Sequence, residues 1–519
     1  MVDALLSSLL PAFLGGLFLS FCIEQMLRPR PLIVGRPCAA FAVHAGVWTL
    51  AFAAELLLMR RPYFAAGNVL ALEMLVVVVS NAKQGALREP FVYPDFEYFL
   101  DAIKHPRLYL PFIGVWAVVL PLVGYILICV AAFRYEPSLY AAMSVFAYAA
   151  LLLTMVLCGV AMCWVGRAAV MSFNANADLR RFGLFACLWR YGLAESRIPV
   201  LARQSWPVFD NVASKPDLIS VQSESFFDPR PYYPTLRPGL LTNFDRLCGE
   251  SGLHGQLRVP AWGANTVRSE FEFLSGHRGE ALGVHRFNPY RRLAASGVQS
   301  LALHLKTQGY RTVCIHPYHA DFYRRKKVIP ALGFDEFLDL ERFRAEDRQG
   351  PYVGDVALAN RALEILRGQD ARPIYLHLIT MENHGPLHWE EVGPQDHAAT
   401  SVSPLPARCD DLVAYVRHLR NADAMFGMLA EGLRAHPRPA SLCVFGDHVP
   451  IMADVYAALG EPAGTTPYLI WGNRDVAEGI PRVAFLHELV DAWLAYCERL
   501  GASSPGTASS KRTMSSSSK

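Results

Sequence analysis

The sequence predicts two parts: five transmembrane α-helices, and after them an α/β domain whose mostly parallel sheet is covered by helices. Hydrophobic residues make up 52 % of the 519-residue chain. The mean hydropathy is +0.21, which is high for a chain with 49 basic and 46 acidic residues. Most of the apolar excess precedes about residue 165. Beyond about residue 214, short apolar strands alternate with helical segments, as in a parallel sheet buried on both faces.

The first third contains five apolar stretches that are long enough to cross a bilayer. They are Leu5–Leu27, Cys38–Met59, Phe64–Lys83, Leu108–Phe133 and Leu139–Trp164. The first is not a cleavable signal peptide, because no basic region precedes it and four more stretches follow. Loop charge does not fix the orientation. We expect the N-terminus to be cytoplasmic. After five spans, the rest of the chain then lies on the outer side of the cell membrane.

The chain is therefore divided into a transmembrane domain (1–164), an amphipathic linker at the membrane surface (165–213), an α/β domain (214–498) and a disordered tail (499–519). The segment 89–111 between the third and fourth spans mixes aromatic and charged residues and is typical of an interfacial helix or a re-entrant segment, with a plain loop as the alternative. Three glutamates lie in or at the ends of spans, at Glu24, Glu55 and Glu73. Their role is left open: they are functional groups, or they lie at the interface or pair with arginine.

Charge and cysteine usage exclude two classes of protein. The net charge is only +3. Nucleic-acid binding calls for a concentrated basic face, so we do not expect nucleic acid as a partner. The 11 cysteines form no C-x-x-C pair, which excludes zinc-ribbon and thioredoxin-like sites.

Acidic and imidazole side chains follow two of the predicted strands. DLISVQ leads into Ser223-Glu224-Ser225, and SLCVFG leads into Asp447-His448. In open α/β sheets, ligands bind at the carboxyl ends of the strands. Oxygen donors with one imidazole suit Mn²⁺, Mg²⁺ or Zn²⁺, so the sequence predicts a divalent metal site here.

A threonine precedes an apolar-periodic helix near residues 267–275. Thr266 follows the small residues Gly263, Ala264 and Asn265, and it could be an ordinary N-cap. The same position also suits phosphate binding by the backbone N–H groups and the positive end of the helix dipole. A hydroxyl held there beside a metal is a potential nucleophile.

Further polar residues follow two other strands. TVCIHP leads to His316 and then to Tyr323 and Arg325, while PIYLHLI leads to His384. Arginine binds phosphate with two parallel hydrogen bonds. These residues are therefore candidates for substrate binding, against the alternative of a solvated basic loop.

In combination, these segments resemble the lipoteichoic acid synthase-like branch of the sulfatase-domain proteins, in the alkaline phosphatase superfamily. The resemblance depends on the ordered set SES, GANTVRSEF, HPYHADFYRR, NHGP and GDH. It implies that Glu224, Thr266, Asp447 and His448 bind one metal ion, first of all Mn²⁺, with Mg²⁺ or Zn²⁺ as alternatives. It also implies that Thr266 is the nucleophile.

The resemblance further implies that Arg325 contacts phosphate, that His384 contacts the glycerol end of the substrate and that Tyr323 is a further binding residue. His316 stays a candidate for substrate binding from its place after a strand. Tyr323 departs from the family pattern, which usually has tryptophan there. A second metal site, as in alkaline phosphatases, could not be placed in the sequence.

The resemblance implies a membrane-bound phosphoglycerol transferase of the cell envelope. Its donor is a phospholipid such as phosphatidylglycerol, and its acceptor is a glycan or a growing glycerol-phosphate chain. A phosphoethanolamine transferase, a group that usually carries several disulfides, and a phosphodiesterase or sulfatase-like hydrolase remain alternatives. Formylglycine sulfatases need Cys or Ser followed by x-Pro-x-Arg, and Thr266-Val-Arg-Ser-Glu lacks that motif. A non-catalytic scaffold has no need of all four site residues.

Overall fold

The structure is a computed structural model that describes residues 5–98, 115–139, 143–251, 253–368, 370–476 and 479–502. It divides into two compact units, Met1–Arg197 and Ile198–Lys519. The division falls inside the predicted linker 165–213. Most of the predicted tail, from residue 503 onward, lies outside the described residues.

The first unit contains seven α-helices among its described residues. They are α1 (Leu10–Glu24), α2 (Cys38–Met59), α3 (Pro62–Leu87), α4 (Val115–Tyr135), α5 (Val145–Val165), α6 (Ala175–Phe182) and α7 (Leu184–Glu195). The last two lie in the predicted linker. Asn174 caps α6, because its Oδ1 accepts a hydrogen bond of 3.1 Å from the N–H of Ala177.

Four helical segments are long and apolar enough to cross a membrane. They are Ser7–Glu24, Cys38–Met59, Pro62–Leu87 and Val145–Ala168, and they correspond to four of the five predicted spans. The remaining prediction, 108–133, begins outside the described residues, and α4 is not among the four. The structure therefore supports a membrane protein without confirming five spans. The predicted interfacial segment 89–111 also lies partly outside the described residues.

The glutamates of the spans differ in their surroundings. Glu24 is fully buried and forms an ion pair with Arg36, while the N–H of Leu184 donates to its Oε1 at 2.7 Å. Both carboxylate oxygens of Glu73 are buried without a hydrogen-bond partner among the described residues, as is Oε2 of Glu55. A charge pair thus neutralises Glu24, whereas Glu73 has no such partner in the described part of this unit.

The second unit is built on a seven-stranded sheet. The strands of this sheet are β1 (Asp217–Ser223), β2 (Leu253–Arg258), β3 (Arg311–Ile315), β4 (Glu336–Leu338), β7 (Ile374–Ile379), β8 (Ala440–Gly446) and β9 (Thr465–Gly472). Two further strands, β5 (Arg348–Gln349) and β6 (Tyr352–Val353), form a separate two-stranded ribbon. The order is β2-β9-β8-β1-β7-β3-β4. The pairs from β8 to β4 are parallel, whereas β9 and β2 run antiparallel to their neighbours. This confirms the predicted mostly parallel sheet.

Helices cover both faces of this sheet. They are α8 (Thr242–Ser251), α9 (Thr266–Ser275), α10 (Leu301–Thr307), α11 (Arg325–Ala331), α12 (Asp355–Leu366), α13 (Pro394–Thr400), α14 (Asp410–Arg434), α15 (Ala453–Leu459) and α16 (Leu486–Ala502). All seven residues of β1 are buried. Ile219 and Val221 pack in a core with α12 and α14, while Leu218 packs in a second core with α9 and α16. Burial on both faces explains the continuous apolar run of this strand.

Candidate metal centre and active site

The two central strands end side by side and bring the predicted metal ligands together. In the parallel pair of β1 and β8, Ser223 lies opposite Gly446, so the next residues, Glu224 and Asp447, leave the same edge of the sheet. Potential ligand atoms of Glu224, Asp447 and His448 all lie within 4.8 Å of one another.

The turn after β1 is fixed by hydrogen bonds to the predicted metal ligands. Ser225 has a φ of +52°, its N–H donates to Asp447 Oδ1 at 2.8 Å, and its hydroxyl donates to Glu224 Oε1 at 2.9 Å. The N–H of Glu224 donates to Oγ1 of Thr380, which follows β7, at 2.9 Å. At Gly446, a Cβ would lie only 2.0 Å from the carbonyl oxygen of Phe226, so only glycine fits where these backbones meet.

Thr266 is the first residue of α9. It follows Asn265, whose φ of +68° lies in the left-handed region. The Thr266 hydroxyl donates to Glu224 Oε2 at 3.3 Å and lies 3.5 Å from His448 Nε2. Ser269 ties this helix to the turn after β8, because its hydroxyl donates to the carbonyl oxygen of Asp447 at 2.6 Å.

The donor set fits a divalent cation. Glu224, Asp447 and His448 are at most 3 % exposed, and Oδ2 of Asp447 is buried without a hydrogen-bond partner among the described residues. Burial raises the pKa of Asp447 to about 7, the charge of Glu224 adds to this, and His448 opposes it. Such an acid is costly to ionise alone, and a bound cation would remove that cost. Two carboxylates, one imidazole and a hydroxyl do not distinguish Mn²⁺, Mg²⁺ and Zn²⁺.

A second group of side chains surrounds Arg325, which is 1 % exposed. Its Nη2 donates to Glu270 Oε2 at 2.7 Å, and its Nη1 lies 3.2 Å from Nε2 of His316. The guanidinium also lies 5.3 Å from the centre of the Tyr323 ring. The structure thus brings His316 and Tyr323 into contact with Arg325, and Glu270 links Arg325 to the helix that begins at Thr266.

His384 lies on the loop after β7. Its Nδ1 is 2.8 Å from the carbonyl oxygen of Gly385, and its ring packs edge-on against Tyr352 with 5.7 Å between ring centres. These contacts do not include the four residues of the candidate metal centre.

Residues to which sequence reasoning assigned no role of their own also contribute to the site, among them Ser225, Glu270 and Tyr290. Ser225 bonds to Asp447 and Glu224, and its hydroxyl lies 3.3 Å from Nδ1 of His448. Glu270 accepts from Arg325 and also from the hydroxyl of Tyr290. Two of the three had a sequence signal, because Ser225 lies in the SES motif and Glu270 lies four residues after Thr266, and therefore on the same helix face.

Comparisons with known proteins identify the family of the second unit. The family model described as Sulfatase matches residues 216–496, more than half of the chain. The capsular polysaccharide biosynthesis protein RkpI of Rhizobium meliloti is 27 % identical over 457 residues, covering 82 % of this chain and 80 % of that protein. A putative cyclic β-1,2-glucan modification protein of the same bacterium is 28 % identical over 300 residues, covering 54 % of this chain and 45 % of that protein.

Among solved structures, the chain is similar to the Streptococcus pyogenes phosphoglycerol transferase GacH in complex with sn-glycerol-1-phosphate. The identity is 21 %, the coverage is 56 % of this chain and 76 % of that chain, and the TM-score is 0.47. The family match confirms the superfamily that the motifs indicated. The chain therefore belongs to the sulfatase family of the alkaline phosphatase superfamily, as a member with apolar helices that anchor it in a membrane.

Proposed function

We propose that this protein is a metal-dependent transferase that moves a phosphoglycerol head group from phosphatidylglycerol to a glycan or polyglycerol-phosphate acceptor. The observation that carries the proposal is the position of the Thr266 hydroxyl. It lies 3.3 Å from Glu224 and 3.5 Å from His448, at the N-terminus of a helix. A nucleophile, a metal-ligand set and a phosphate-binding helix end therefore coincide.

Glu224, Asp447, His448 and the Thr266 oxygen would hold one divalent cation, Mn²⁺ first, which supplies a Lewis acid that lowers the pKa of the hydroxyl and screens the phosphate charge. The Thr266 oxygen then attacks the phosphorus of the lipid. The bond from phosphorus to the diacylglycerol oxygen breaks, and diacylglycerol leaves with a proton. Phosphoglycerol remains bound to Thr266 as a phosphodiester.

In the second displacement, an acceptor hydroxyl attacks the same phosphorus. The bond from phosphorus to the Thr266 oxygen breaks, and the proton of the acceptor hydroxyl balances the one that Thr266 regains. The backbone N–H groups at the start of α9 and the guanidinium of Arg325 would hold the phosphate in both steps. In this proposal, His384 holds the glycerol end of the head group, with His316 and Tyr323 as further binding residues.

Membrane anchorage suits a lipid donor. Spans on the same chain raise the effective concentration of phospholipid at the domain. We place the catalytic domain on the outer side of the cell membrane, where cell-envelope glycans lie. The two Rhizobium relatives, named for capsular polysaccharide biosynthesis and for glucan modification, support a glycan as acceptor.

The alternatives differ in the group transferred or in the acceptor. All 11 cysteines lie at described positions, and each is unpaired, which favours the glycerol branch over phosphoethanolamine transferases with their several disulfides. Thr266 replaces the Cys or Ser that formylglycine sulfatases require, which speaks against sulfate esters as substrates.

The test is to incubate the full-length protein, with Mn²⁺, with labelled phosphatidylglycerol or labelled phosphatidylethanolamine. Mass spectrometry then identifies any adduct on the peptide that contains Thr266. We expect a phosphoglycerol adduct with the first lipid, and none in Thr266→Ala. An adduct of phosphoethanolamine alone would assign the second head group, and lipid turnover without a Thr266 adduct would refute the covalent mechanism.

A further inference from the structure

Some of the N–H groups of Arg325 form hydrogen bonds within the protein and are not available to a substrate. Arginine has five N–H donors. Nε and Nη2 of Arg325 point to Glu270 Oε1 and Oε2, at 3.4 and 2.7 Å. Glu270 is fully buried, so the pair is a two-pronged ion pair inside the protein. The hydroxyl of Tyr290 also donates to Oε1 of Glu270.

His316 occupies a third donor of Arg325, and its own bonds fix its tautomer. The carbonyl oxygen of Ile379 lies 3.2 Å from Nδ1 of His316 and can only accept a hydrogen bond, so Nδ1 carries the proton. Nε2, 3.2 Å from Nη1 of Arg325, is then the acceptor, since a guanidinium can only donate. Burial lowers the pKa of His316 well below its usual value, and the charge of Arg325 adds to this. His316 is therefore neutral, with both ring nitrogens engaged.

Among the described residues, the hydrogen bonds of Arg325 leave one N–H on each terminal nitrogen. When His316 accepts the Nη1 N–H nearer to Cδ, these two N–H groups form the end-on pair that arginine uses for bidentate recognition of phosphate oxygens. The spacing to the nucleophile is set by one helix. Glu270 lies four residues after Thr266 on the same face of α9, so the helix that presents the hydroxyl also holds the guanidinium.

We propose that Glu270 and His316 are positioning residues, which hold Arg325 with two N–H groups free for the transferred phosphate, and that neither residue touches the head group. The inference rests on the proposed function, in which Arg325 meets that phosphate. It changes the role of His316, which becomes a support for the guanidinium instead of a contact for the glycerol.

The physical reason for such support is the cost of a free buried guanidinium. An unpaired buried charge is strongly destabilising, and a donor that must reorient during the reaction stabilises the transition state less than a fixed one. Glu270 balances the charge without covering the end-on pair of N–H groups. His316 then fixes the rotation of the guanidinium, because it accepts from only one of the terminal nitrogens.

The first experiment compares two lipids that differ only in the head group, phosphatidylglycerol and phosphatidylmethanol, and measures kcat and KM for diacylglycerol release by the full-length protein. We expect His316→Leu to lower kcat/KM by about 10–100-fold for both lipids, mainly through kcat, which is somewhat less than the loss of a direct transition-state donor. We expect His316→Gln, whose amide oxygen can accept from Arg325, to recover much of the rate. A loss confined to phosphatidylglycerol would overturn the proposal, because it would show that His316 contacts the glycerol.

The second experiment is a double-mutant cycle on phosphatidylglycerol. In an Arg325→Met background, we expect His316→Leu and Glu270→Gln to cause almost no further loss, because both act through Arg325. The double variant Glu270→Gln/Arg325→Met is also free of unpaired charge, which keeps the cycle informative if Glu270→Gln alone does not fold. Multiplicative losses would overturn the proposal.

A control is His304→Leu. His304 lies on α10 of the same unit, and its Nε2 is 2.9 Å from the carbonyl oxygen of Pro207, so its removal should leave the rate close to that of the wild type. If the wild type is active and the losses of the single variants multiply in the double variants, only the positioning role of Glu270 and His316 is refuted. A wild type that forms no Thr266 adduct and releases no diacylglycerol refutes the proposed function, and this inference with it.

Discussion

Ser225 illustrates how a residue without an evident role of its own orders the candidate site. Its backbone N–H binds Asp447 and its hydroxyl binds Glu224, so one residue orients both acids. The cost is a backbone in the left-handed region, which is uncommon for serine. Loss of a group that hydrogen-bonds to a metal ligand usually lowers the affinity for the metal.

We therefore predict that Ser225→Ala weakens divalent metal binding by about 10–100-fold. Alanine has the same backbone strain as serine but cannot donate to Glu224. Isothermal titration of the metal-free protein with Mn²⁺ measures the effect. Ser296→Ala is the control, since that serine is exposed and its hydroxyl donates to the carbonyl oxygen of Leu293, away from the predicted metal ligands. Unchanged affinity in Ser225→Ala would mean that Glu224 needs no such support.

Glu272 provides a prediction about pH and stability. Burial raises its pKa from 4.5 to about 7, so the folded protein binds a proton there more tightly than the unfolded chain does. The folded state therefore loses stability as the pH rises from about 4.5 to about 7. Glutamine stays neutral, and its amide oxygen can still accept from the N–H of Gly279, as Glu272 does at 2.7 Å.

We expect Glu272→Gln to raise the melting temperature at pH 8 and to have a much smaller effect at pH 5. Thermal unfolding of the full-length protein in detergent measures the difference. An equal shift at both pH values would show that Glu272 is not protonated in the folded state.

At the scale of elements, the site depends on how closely the ends of β1 and β8 approach each other. We predict that Gly446→Ala lowers stability by about 1–3 kcal/mol and also weakens metal binding, because the added Cβ meets the carbonyl oxygen of Phe226 at 2.0 Å. Gly249→Ala in α8 is the matched control. Its Cβ would meet nothing within 4 Å, and alanine favours a helix over glycine by about 1 kcal/mol. Equal melting temperatures for the two variants would contradict the close approach.

The strands that the sequence predicted are those with long apolar runs. β1, β7 and β8 are buried along their whole length, so their composition identifies them. The edge strand β2 reads LHGQLR, with only Leu253 and Leu257 buried, and β4 has only three residues. Neither carries enough signal on its own, and both strands form through pairing with neighbours distant in sequence.

Prediction of the site residues from the sequence was limited in the same way. The ends of two buried strands identified Glu224, Asp447 and His448, and a helix start identified Thr266. The partner of Arg325 could not be found in this way, because Glu270 is 55 residues away in sequence and meets Arg325 only through the packing of the fold.

At the scale of the whole molecule, the membrane-anchored unit has a buried charge pair of its own. We predict that Arg36→Ala, which leaves Glu24 unpaired, destabilises this unit by about 3–5 kcal/mol. The double variant Glu24→Gln/Arg36→Met, which removes both charges, should regain most of that loss. Thermal unfolding in detergent compares the three proteins. A single variant as stable as the wild type would mean that the pair is not essential to the unit.

The central claim is that four side chains, distant in sequence, surround one cation with the Thr266 oxygen among its ligands. The most direct measurement is a crystal structure of the protein soaked in Mn²⁺, with anomalous diffraction to locate the metal. We predict one anomalous peak within about 2.0–2.6 Å of Glu224, Asp447, His448 and the Thr266 hydroxyl. A peak that lacks these ligands, or a Thr266 hydroxyl beyond coordination distance of the metal, would contradict the claim.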